Sequence, residues 1–434
     1  MRDHRYLSWG RYPKSQHIGV INDLTKLTGL CVVDGESTII PYGNGRSYGD
    51  VCLNNNGMLF DTVKLSTIEF DRNQGLLKCG AGVTVKEVLD QIIPWNWMLP
   101  VVPGTKEVTI GGAVANDVHG KNHHVMGSFG NHIRSMMLHS TYAGIVECSM
   151  DTNSELFRAT IGGLGLTGLI LEVTIQLVKI PSPWISTRNI PFNSVSEFID
   201  MSLDYDRQYS YSVGWLNISK KLGSGILQVA NHIESNSRLI SKTRFNQLRL
   251  PYFVRAPGMV NRFSVKLINF VYSKLNSDEC SEKYFDEFLF PLDKFGSWNR
   301  VFFPRGFIQY QCVIPYKNAD IACQQILEIA SKSGSLSFLN VIKSFGSQKS
   351  VGMMSFPMEG ITLSLDFFRI TSKLFKLLDE MDSIVFGSGG RIYPGKDSRM
   401  HSKYFDLNFP DKDEFEPLID PRYSSSYWRR VSNA

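Results

Sequence analysis

Hydrophobic and polar residues alternate in short runs through the first third of the chain, and turn residues separate these runs. The runs with the length and alternation of β-strands are GLCVVD, STIIPYG, GMLFDT, LLKCGAG and SMMLHSTYAGIVEC. Between them, VKEVLDQII has the period of an amphipathic helix. Because strands follow strands without a helix between each pair, the pattern predicts an α+β fold and not a regular βαβ fold.

A domain boundary is predicted near residue 180. The strand-like EVTIQLVKI leads there into PSPW, where two prolines interrupt the regular pattern. Farther along, FIQYQCVIP and ITLSLDFF have strand character, and ADIACQQILEIASKS and TSKLFKLLDEMDSIV have helix character. A chain of 434 residues is also long for a single domain.

Composition indicates a globular protein with a sizeable core, since 43% of the residues are apolar and 20% are charged. The N-terminal stretch has no apolar core of signal-peptide length, and no eighteen apolar residues run together. The seven cysteines contain no CxxC pair, which favours free, buried thiols in a reducing compartment. We therefore expect a cytoplasmic protein without a membrane span.

The net charge of +5 is concentrated in one segment, 235–277. It contains eight Lys and Arg residues, no Asp or Glu, and interleaved aromatic and aliphatic residues. Such a segment is suited to an anionic membrane surface, and a solvated loop or lid is the alternative. No recognised nucleic-acid motif accompanies the charge, so we expect no nucleic-acid binding.

Two glycine-rich stretches are candidates for a nucleotide-binding loop. GGLGLTG, 162–168, contains GxGxxG, but a helix precedes it and a strand follows, which is the reverse of a dinucleotide-binding βαβ unit. STIIPYGNGRSYGD instead runs from a strand into Gly43, Gly45 and Gly49, where backbone N–H groups can form an anion-binding nest. A tight turn without a ligand is the alternative reading of this stretch.

Four of the nine histidines, His119, His123, His124 and His132, lie within fourteen residues. Histidine is a common metal ligand, but Asp117 is the only acidic residue between Glu107 and Glu147. The segment therefore lacks the partners that a closed metal site requires, and we predict no metal.

The chain resembles the FAD domain of vanillyl-alcohol-oxidase/p-cresol-methylhydroxylase-type flavoproteins. The similar stretches, in order, are PYGNGRSYGD, GAGVTVKEVLD, PVVPGTKEVTIGGAVANDVHGKNHH, GSFGNHIRSM and SELFRATIGGLGLTGLI. Within that superfamily, WNRVFFPRGFIQYQCVIP, SFLNVIKSFG and GGRIYPGKDSRM extend the resemblance to decaprenylphosphoryl-β-D-ribose 2′-oxidases, the flavoprotein half of a two-enzyme epimerase. The resemblance implies a two-subdomain FAD-binding domain over 1–180, an α+β substrate (cap) domain with an antiparallel sheet over 181–390, and a C-terminal segment, 391–434, that returns to the FAD domain.

The resemblance also implies a set of cofactor-binding residues: Gly43, Asn44, Gly45, Arg46, Ser47, Pro103, Gly104, Thr105, Thr109, Gly111, Gly112, Asn116, His119, Gly165, Ile170 and Tyr393. His123, His124 and His132 are then packing and hydrogen-bonding residues. Many oxidases of the superfamily carry a covalently attached flavin on a histidine at the position of Arg46. Arginine cannot form that bond, so we expect non-covalent FAD.

Catalytic candidates follow from the same resemblance. Lys396, in RIYPGKDSR, matches the active-site lysine of the subfamily, a cation that stabilises negative charge on the cofactor. Tyr48, Tyr393, His119 and Lys396 are the candidates for assisting proton removal, and the sequence does not choose among them. The residues implied for substrate binding are Gln309, Gln311, Lys343, Phe345, Ser364 and Lys396. Taken without the resemblance, Lys396 would be an ordinary surface lysine.

The implied activity is FAD-dependent oxidation of the 2′-hydroxyl of a polyprenylphosphoryl pentose to the 2′-keto sugar, in cell-wall polysaccharide biosynthesis. A separate NAD(P)H-dependent short-chain reductase would complete the epimerisation. A lipid-linked substrate agrees with peripheral attachment at the inner face of the cell membrane through 235–277. Ser364 and Thr362 depart from the cysteine and asparagine of the subfamily, so the identity of the sugar and lipid stays open. The alternatives are a soluble sugar, alditol or aldonolactone oxidase and a non-catalytic flavin-fold scaffold.

Overall fold

The computed structural model describes residues 6–27, 37–217, 223–234, 280–302 and 305–432. It contains helices together with mainly antiparallel sheets, which confirms the α+β prediction. The strand-like run GLCVVD and the basic segment 235–277 lie outside the described residues.

The three smaller sheets are formed by the N-terminal part of the chain. Their strands are β1 (Gly19–Ile21), β2 (Ile39–Tyr42), β3 (Met58–Asp61), β4 (Ile68–Asp71), β5 (Leu76–Gly80), β6 (Trp97–Met98), β7 (Ile133–Ser140), β8 (Gly144–Ser149), β9 (Leu169–Gln176) and β10 (Val178–Lys179). A parallel sheet has the order β1-β3-β2, and an antiparallel sheet has the order β4-β5-β9-β7-β8. Strands β6 and β10 pair with each other.

An antiparallel sheet of eight strands dominates the rest of the fold. Its strands are β11 (Trp184–Phe192), β12 (Tyr211–Asn217), β13 (Ser224–His232), β14 (Cys280–Tyr284), β15 (Ile308–Ile314), β16 (Leu336–Phe345), β17 (Gly360–Phe367) and β18 (Arg391–Ile392). The order is β14-β11-β13-β12-β16-β17-β15-β18. The chain thus leaves the smaller sheets at Lys179 and enters the eight-stranded sheet at Trp184. The division into domains at 180 and 390 stays a prediction.

Short helices accompany the smaller sheets, and longer helices accompany the eight-stranded sheet. They are α1 (Val85–Ile92), α2 (Ile110–Ala115), α3 (His123–Met126), α4 (Ser154–Thr160), α5 (Val195–Tyr205), α6 (Phe285–Leu289), α7 (Tyr316–Lys332), α8 (Ser372–Gly387), α9 (Ser402–Asn408), α10 (Lys412–Phe415) and α11 (Ser426–Val431). The predicted helices in VKEVLDQII, SELFRAT and the two long C-terminal runs are confirmed as α1, α4, α7 and α8. Within the described ranges, none of the helices has both the length and the apolar character needed to cross a bilayer.

The two long helices pack on one face of the eight-stranded sheet and leave the other face for the cavity described below. Helix α7 buries Ala319, Cys323, Ile326 and Ala330, which recur at three- and four-residue intervals along one side. Helix α8 packs beside it, against β15 and β18. This layering explains why β15 is buried along its whole length and β17 is buried at every residue except Ser364.

The C-terminal residues run back to the smaller sheets. The backbone of Tyr423 pairs with Ile39 at the edge of β2. The Asp420 carboxylate accepts hydrogen bonds from the N–H and the hydroxyl of Thr141, at 2.7 and 2.6 Å. The chain therefore contacts the N-terminal sheets again after it leaves β18.

The cysteines of the described residues form no disulfide, as predicted. Cys79, Cys148, Cys312 and Cys323 are buried. The prediction of burial is wrong for Cys280, which is exposed on an edge strand of the large sheet.

Candidate active site

A cavity of about 1700 Å³ is lined by residues from both sides of residue 180. Small-molecule pockets usually measure about 300–1,000 Å³. The cavity therefore has room for an extended cofactor together with a second molecule. Every residue of the predicted cofactor-binding set lines it.

One wall of the cavity consists of two glycine-rich loops, 43–47 and 103–112, held against each other. Gly45 has φ +59°, and a Cβ at this position would lie 2.5 Å from the carbonyl oxygen of Leu7, so only glycine fits. The Asn44 side chain donates from Nδ2 to the carbonyl of Glu107 at 2.9 Å. The wall is thus fixed by the protein itself, without a ligand.

Arg46 lies in the same wall and is held by neighbours on two sides. Its guanidinium is 4.8 Å from the centre of the Trp9 ring, and Nη2 is 3.7 Å from Oε2 of Glu107. Burial lowers the pKa of Arg46, but an arginine keeps its charge at any physiological pH. A fixed cation therefore lies in the wall that the sequence assigns to the cofactor.

His119 is a buried, neutral imidazole whose tautomer is set by Gln311. An amide nitrogen can only donate, so Nε2 of His119 accepts from Nε2 of Gln311, at 2.9 Å. Burial and the nearby Lys343 ammonium lower the pKa of His119 well below its usual value. The ring proton is consequently held at Nδ1, which has no hydrogen-bond partner among the described residues.

The other three histidines of the cluster face three different partners. His124 Nε2 is 2.8 Å from the carbonyl of Tyr209, His132 Nε2 is 2.8 Å from that of Met126, and His123 Nδ1 accepts from Gly346 N at 3.2 Å. They are the hydrogen-bonding residues that the sequence predicts. In the part of the chain that the structure describes, no three His, Cys, Asp or Glu side chains converge as metal ligands.

The opposite wall is one face of the eight-stranded sheet. Across its central strands, Trp215 pairs with Val341, Val341 with Ser364, and Ser364 with Gln311. Directly paired residues share a face, and these four side chains line the cavity as one row. Ser364 lies in the middle of this row, where the subfamily carries cysteine.

Lys396 and Tyr48 meet between the two walls. The Lys396 ammonium is 3.6 Å from the centre of the Tyr48 ring, and Tyr48 N donates to the carbonyl of Gly395 at 2.9 Å. Burial lowers the pKa of Lys396 to about 7, partly offset by the Asp366 carboxylate. Both residues line the cavity, so Lys396 is not the surface lysine that the sequence alone would allow.

Asp366 is the buried counter-charge of Lys396, and the sequence analysis did not identify it. Its side chain is 1% exposed, and Gln309, opposite it on β15, donates from Nε2 to Oδ1. Oδ2 has no hydrogen-bond partner among the described residues. Burial raises the pKa of Asp366 to about 7. The sequence signal that could have identified Asp366 is its position two residues after Ser364 in ITLSLDF, because this spacing puts both side chains on one face of the strand.

Of two predicted site residues, Tyr393 lines the cavity, whereas Phe345 lies behind the cavity wall. Tyr393 lines it and donates from its hydroxyl to the carbonyl of Asn116 at 3.1 Å. Phe345 is fully buried behind His119, with ring centres 4.9 Å apart, and also packs on His123. A direct contact between Phe345 and a ligand would therefore require this aromatic cluster to open, and its part in substrate binding stays a prediction.

The residues of the first wall fit a bound flavin dinucleotide. Two buried polar atoms, His119 Nδ1 and Asn116 Oδ1, have no hydrogen-bond partner within the described ranges and belong to residues that line the cavity. Gly104 has open space where a Cβ would lie. A site with an unpaired donor, an unpaired acceptor and exposed backbone is suited to a ligand that has hydrogen-bond acceptors and donors of its own.

Comparisons with known proteins agree with this geometry. The profile of the FAD binding domain matches residues 22–149. Decaprenylphosphoryl-beta-D-ribose oxidase of Mycolicibacterium smegmatis is 34% identical over 98% of this chain and 97% of its own length. An uncharacterized protein of Streptomyces coelicolor, from the mprA 5′ region, is 28% identical over 80% of this chain and its whole length.

More distant relatives match about a third of the chain. The mitochondrial L-galactono-1,4-lactone dehydrogenase of Brassica oleracea is 28% identical over 33% of this chain and 24% of its own length. The Mycolicibacterium smegmatis oxidase therefore covers both the cofactor wall and the substrate wall, whereas the lactone enzyme covers only about a third of the chain. The chain belongs to the family of FAD-dependent oxidases that includes decaprenylphosphoryl-beta-D-ribose oxidase, and its cofactor is FAD.

Proposed function

We propose that the protein oxidises the 2′-hydroxyl of a polyprenylphosphoryl pentose to a 2′-keto sugar. The observation that carries this proposal is the pairing of two walls in one cavity. A glycine-rich cofactor wall faces a sheet that presents Gln309, Gln311 and Ser364, with Lys396 between them. The full-length similarity to an oxidase named for decaprenylphosphoryl ribose supports the choice of substrate.

Bound FAD supplies the acceptor for the hydride that leaves the carbinol carbon. The protein contributes a fixed positive charge, because Lys396 is held over the Tyr48 ring by the loop after β18. Asp366 favours the protonated form of Lys396 and raises its pKa. A preorganised cation in a site shielded from water stabilises the negative charge that develops during the reaction.

His119 is suited to donate a hydrogen bond and unsuited to accept the substrate proton. Its Nε2 already accepts from Gln311, and its proton is held at Nδ1. We therefore assign His119 to positioning and not to removal of the substrate proton. Ser364 and the amide oxygens of Gln309 and Gln311 are the polar atoms that can orient sugar hydroxyls.

We further propose that FAD is bound without a covalent bond. The residue after Gly45 is Arg46, whose guanidinium is occupied by Trp9 and Glu107. A guanidinium cannot form the histidyl-flavin bond that other oxidases of the superfamily make at this position.

The site of oxidation is tested by trapping the product. After turnover with a short-chain polyprenylphosphoryl ribose, reduction with borodeuteride should place deuterium at C2 of the sugar and yield both C2 epimers. Deuterium at another carbon would contradict the proposed regiochemistry. Turnover of free sugars or aldonolactones in preference to the lipid-linked sugar would instead favour the soluble-oxidase alternative.

Gly104→Ala tests the cofactor wall without disturbing the fold. Among the described residues, no atom other than those of Gly104 and its two chain neighbours lies within 4 Å of the added methyl group, so the apoprotein should unfold at an unchanged temperature. A ligand packed against this loop would be displaced, and we expect FAD affinity to fall about tenfold or more. The matched control is Gly387→Ala, which also faces open space but lies at the end of α8, outside the cavity. Equal FAD affinity in the two variants would remove the loop 103–105 from the cofactor site.

Two partners belong to the proposal. A keto sugar must be reduced to complete an epimerisation, and an NAD(P)H-dependent short-chain reductase is the enzyme class with that chemistry.

We also propose that the basic segment 235–277 brings the enzyme to an anionic membrane, where a lipid-linked substrate resides. Full binding to anionic liposomes after deletion of the segment would contradict this second point.

A further inference from the structure

Two lysines that line the cavity, Lys121 and Lys343, have no carboxylate partner in the part of the chain that the structure describes. The Lys121 ammonium donates to the carbonyl of Phe288, and the Lys343 ammonium donates to the carbonyl of Gly120 at 3.3 Å. Among the described residues, no Asp or Glu forms an ion pair with either side chain. Both residues are half-buried, so water shields their charges only in part.

Several other cations of the cavity wall form an ion pair with a carboxylate, unlike these two lysines. The ion pairs are Arg46 with Glu107, Lys86 with Asp90, and Lys106 with Asp286. Burial accordingly lowers the pKa of Lys121 to about 7 and that of Lys343 to about 8, and Lys343 contributes to the lowering at Lys121. An unpaired, partly desolvated ammonium is costly unless a ligand supplies the negative charge.

The two ammonium groups lie in one corner of the cavity, close enough for the Lys343 charge to lower the pKa of Lys121. Lys343 bonds to Gly120, the residue before Lys121, and the carbonyl of Lys121 accepts from Ser212 N at 2.7 Å. This places the pair beside Val213 and Trp215 of β12 and next to Val341 of β16, all of which line the cavity. The cationic corner is therefore bordered by an apolar strip.

We propose that Lys121 and Lys343 form an anion subsite for the phosphodiester of the substrate, with its lipid chain along Val213, Trp215 and Val341. The inference rests on the proposed function, since a polyprenylphosphoryl sugar has its single anionic group between a sugar and an apolar chain. The pyrophosphate of FAD is the other anion in the cavity. Lys343 lies on the substrate sheet, two residues after Val341 on the same strand face, and this favours the substrate.

The test compares the native holoenzyme with Lys121→Met and Lys343→Met, using two probes. One probe is farnesylphosphoryl ribose and the other is a neutral farnesyl riboside without phosphate. In the native enzyme we expect kcat/KM to be roughly 10- to 100-fold higher for the phosphodiester than for the neutral riboside, because hydrogen bonds to a charged group typically contribute this much. Each substitution should reduce that preference about tenfold through the KM for the phosphodiester.

Folding and cofactor binding are monitored in the same samples. Methionine fills the space of the lysine stem, and loss of an unpaired buried charge should not lower the unfolding temperature. Lys332→Met, an exposed lysine of α7 paired with Glu328, serves as the control and should keep the native preference. An unchanged phosphodiester preference in both cavity variants would overturn the subsite. Loss of FAD affinity in them would assign the lysines to the cofactor pyrophosphate and overturn it as well.

Failure of the proposed function gives a different result. If neither probe reduces the flavin of the native holoenzyme, the proposed substrate is wrong and the subsite falls with it. If the phosphodiester reduces the flavin but the variants behave like the native enzyme, the function stands and the subsite is wrong.

Discussion

Lys396→Met should slow anaerobic reduction of the bound flavin by substrate about 100- to 1,000-fold while FAD stays bound. Two unit charges about 4 Å apart interact by roughly 4 kcal/mol at an effective dielectric constant near 20, and this is the stabilisation that the substitution removes. The rate is measured in single turnover by stopped flow, so that product release does not mask it. Lys403→Met, an exposed lysine on α9, should keep the native rate.

The charge of Lys396 can be separated from its ability to accept a proton. Lys396→Arg keeps a cation that does not lose its proton, so we expect it to recover at least about tenfold over Lys396→Met. In the native enzyme the cationic form is present below the pKa of about 7 and is lost as the pH rises through it. The native rate should thus fall above neutral pH, and the rate of Lys396→Arg should not. A Lys396→Met enzyme that reduces its flavin at the native rate would remove Lys396 from the mechanism.

Arg430→Met should lower the free energy of unfolding by about 3–5 kcal/mol, because it leaves two buried carboxylates without their cation. Arg430 Nη2 is 2.6 Å from Oδ1 of Asp50 and 3.1 Å from Oδ2 of Asp397, and these acids are 3% and 6% exposed. The triad joins helix α11 to the loops that carry Tyr48 and Lys396. FAD affinity should therefore fall together with stability.

Unfolding in urea, followed by tryptophan fluorescence of the apoprotein, measures the loss. Arg134→Met is the control, since this exposed arginine has one long hydrogen bond to Gln176, at 3.3 Å, and should change stability by less than about 0.5 kcal/mol. Adding Asp50→Asn to Arg430→Met removes one of the unpaired charges and should recover part of the loss. If Arg430→Met were as stable as the control, the triad would not hold these loops together.

Local pattern was sufficient to predict the elements around the cofactor wall. The run STIIPYGNGRSYGD shows a strand that ends in closely spaced glycines, and β2 ends at Tyr42, immediately before Gly43. The reversed order around GGLGLTG is also confirmed, with α4 before the glycines and β9 after them. In both cases the deciding signals, glycine position and hydrophobic period, lie within a few residues of each other.

Features that depend on distant parts of the chain could not be predicted from pattern. Strand register puts Gln309 opposite Asp366, and loop packing brings Lys343 to Gly120, the residue before Lys121. A buried aspartate in ITLSLDF has the same local pattern as an exposed one on an edge strand. The family resemblance supplied Lys396 and Tyr48. Lys121 lies in the HGKNHH motif of that resemblance, but it was recognised only from the lack of a carboxylate partner among the described residues.

The central claim is most directly tested by the visible spectrum of the purified holoenzyme under anaerobic conditions, before and after addition of a polyprenylphosphoryl ribose. The flavin absorption should bleach on addition of the lipid-linked sugar, and acid denaturation should then release FAD from the protein. A yellow protein that stays oxidised in the presence of this sugar would contradict the proposed substrate, and flavin that remains attached after denaturation would contradict the non-covalent site at Arg46.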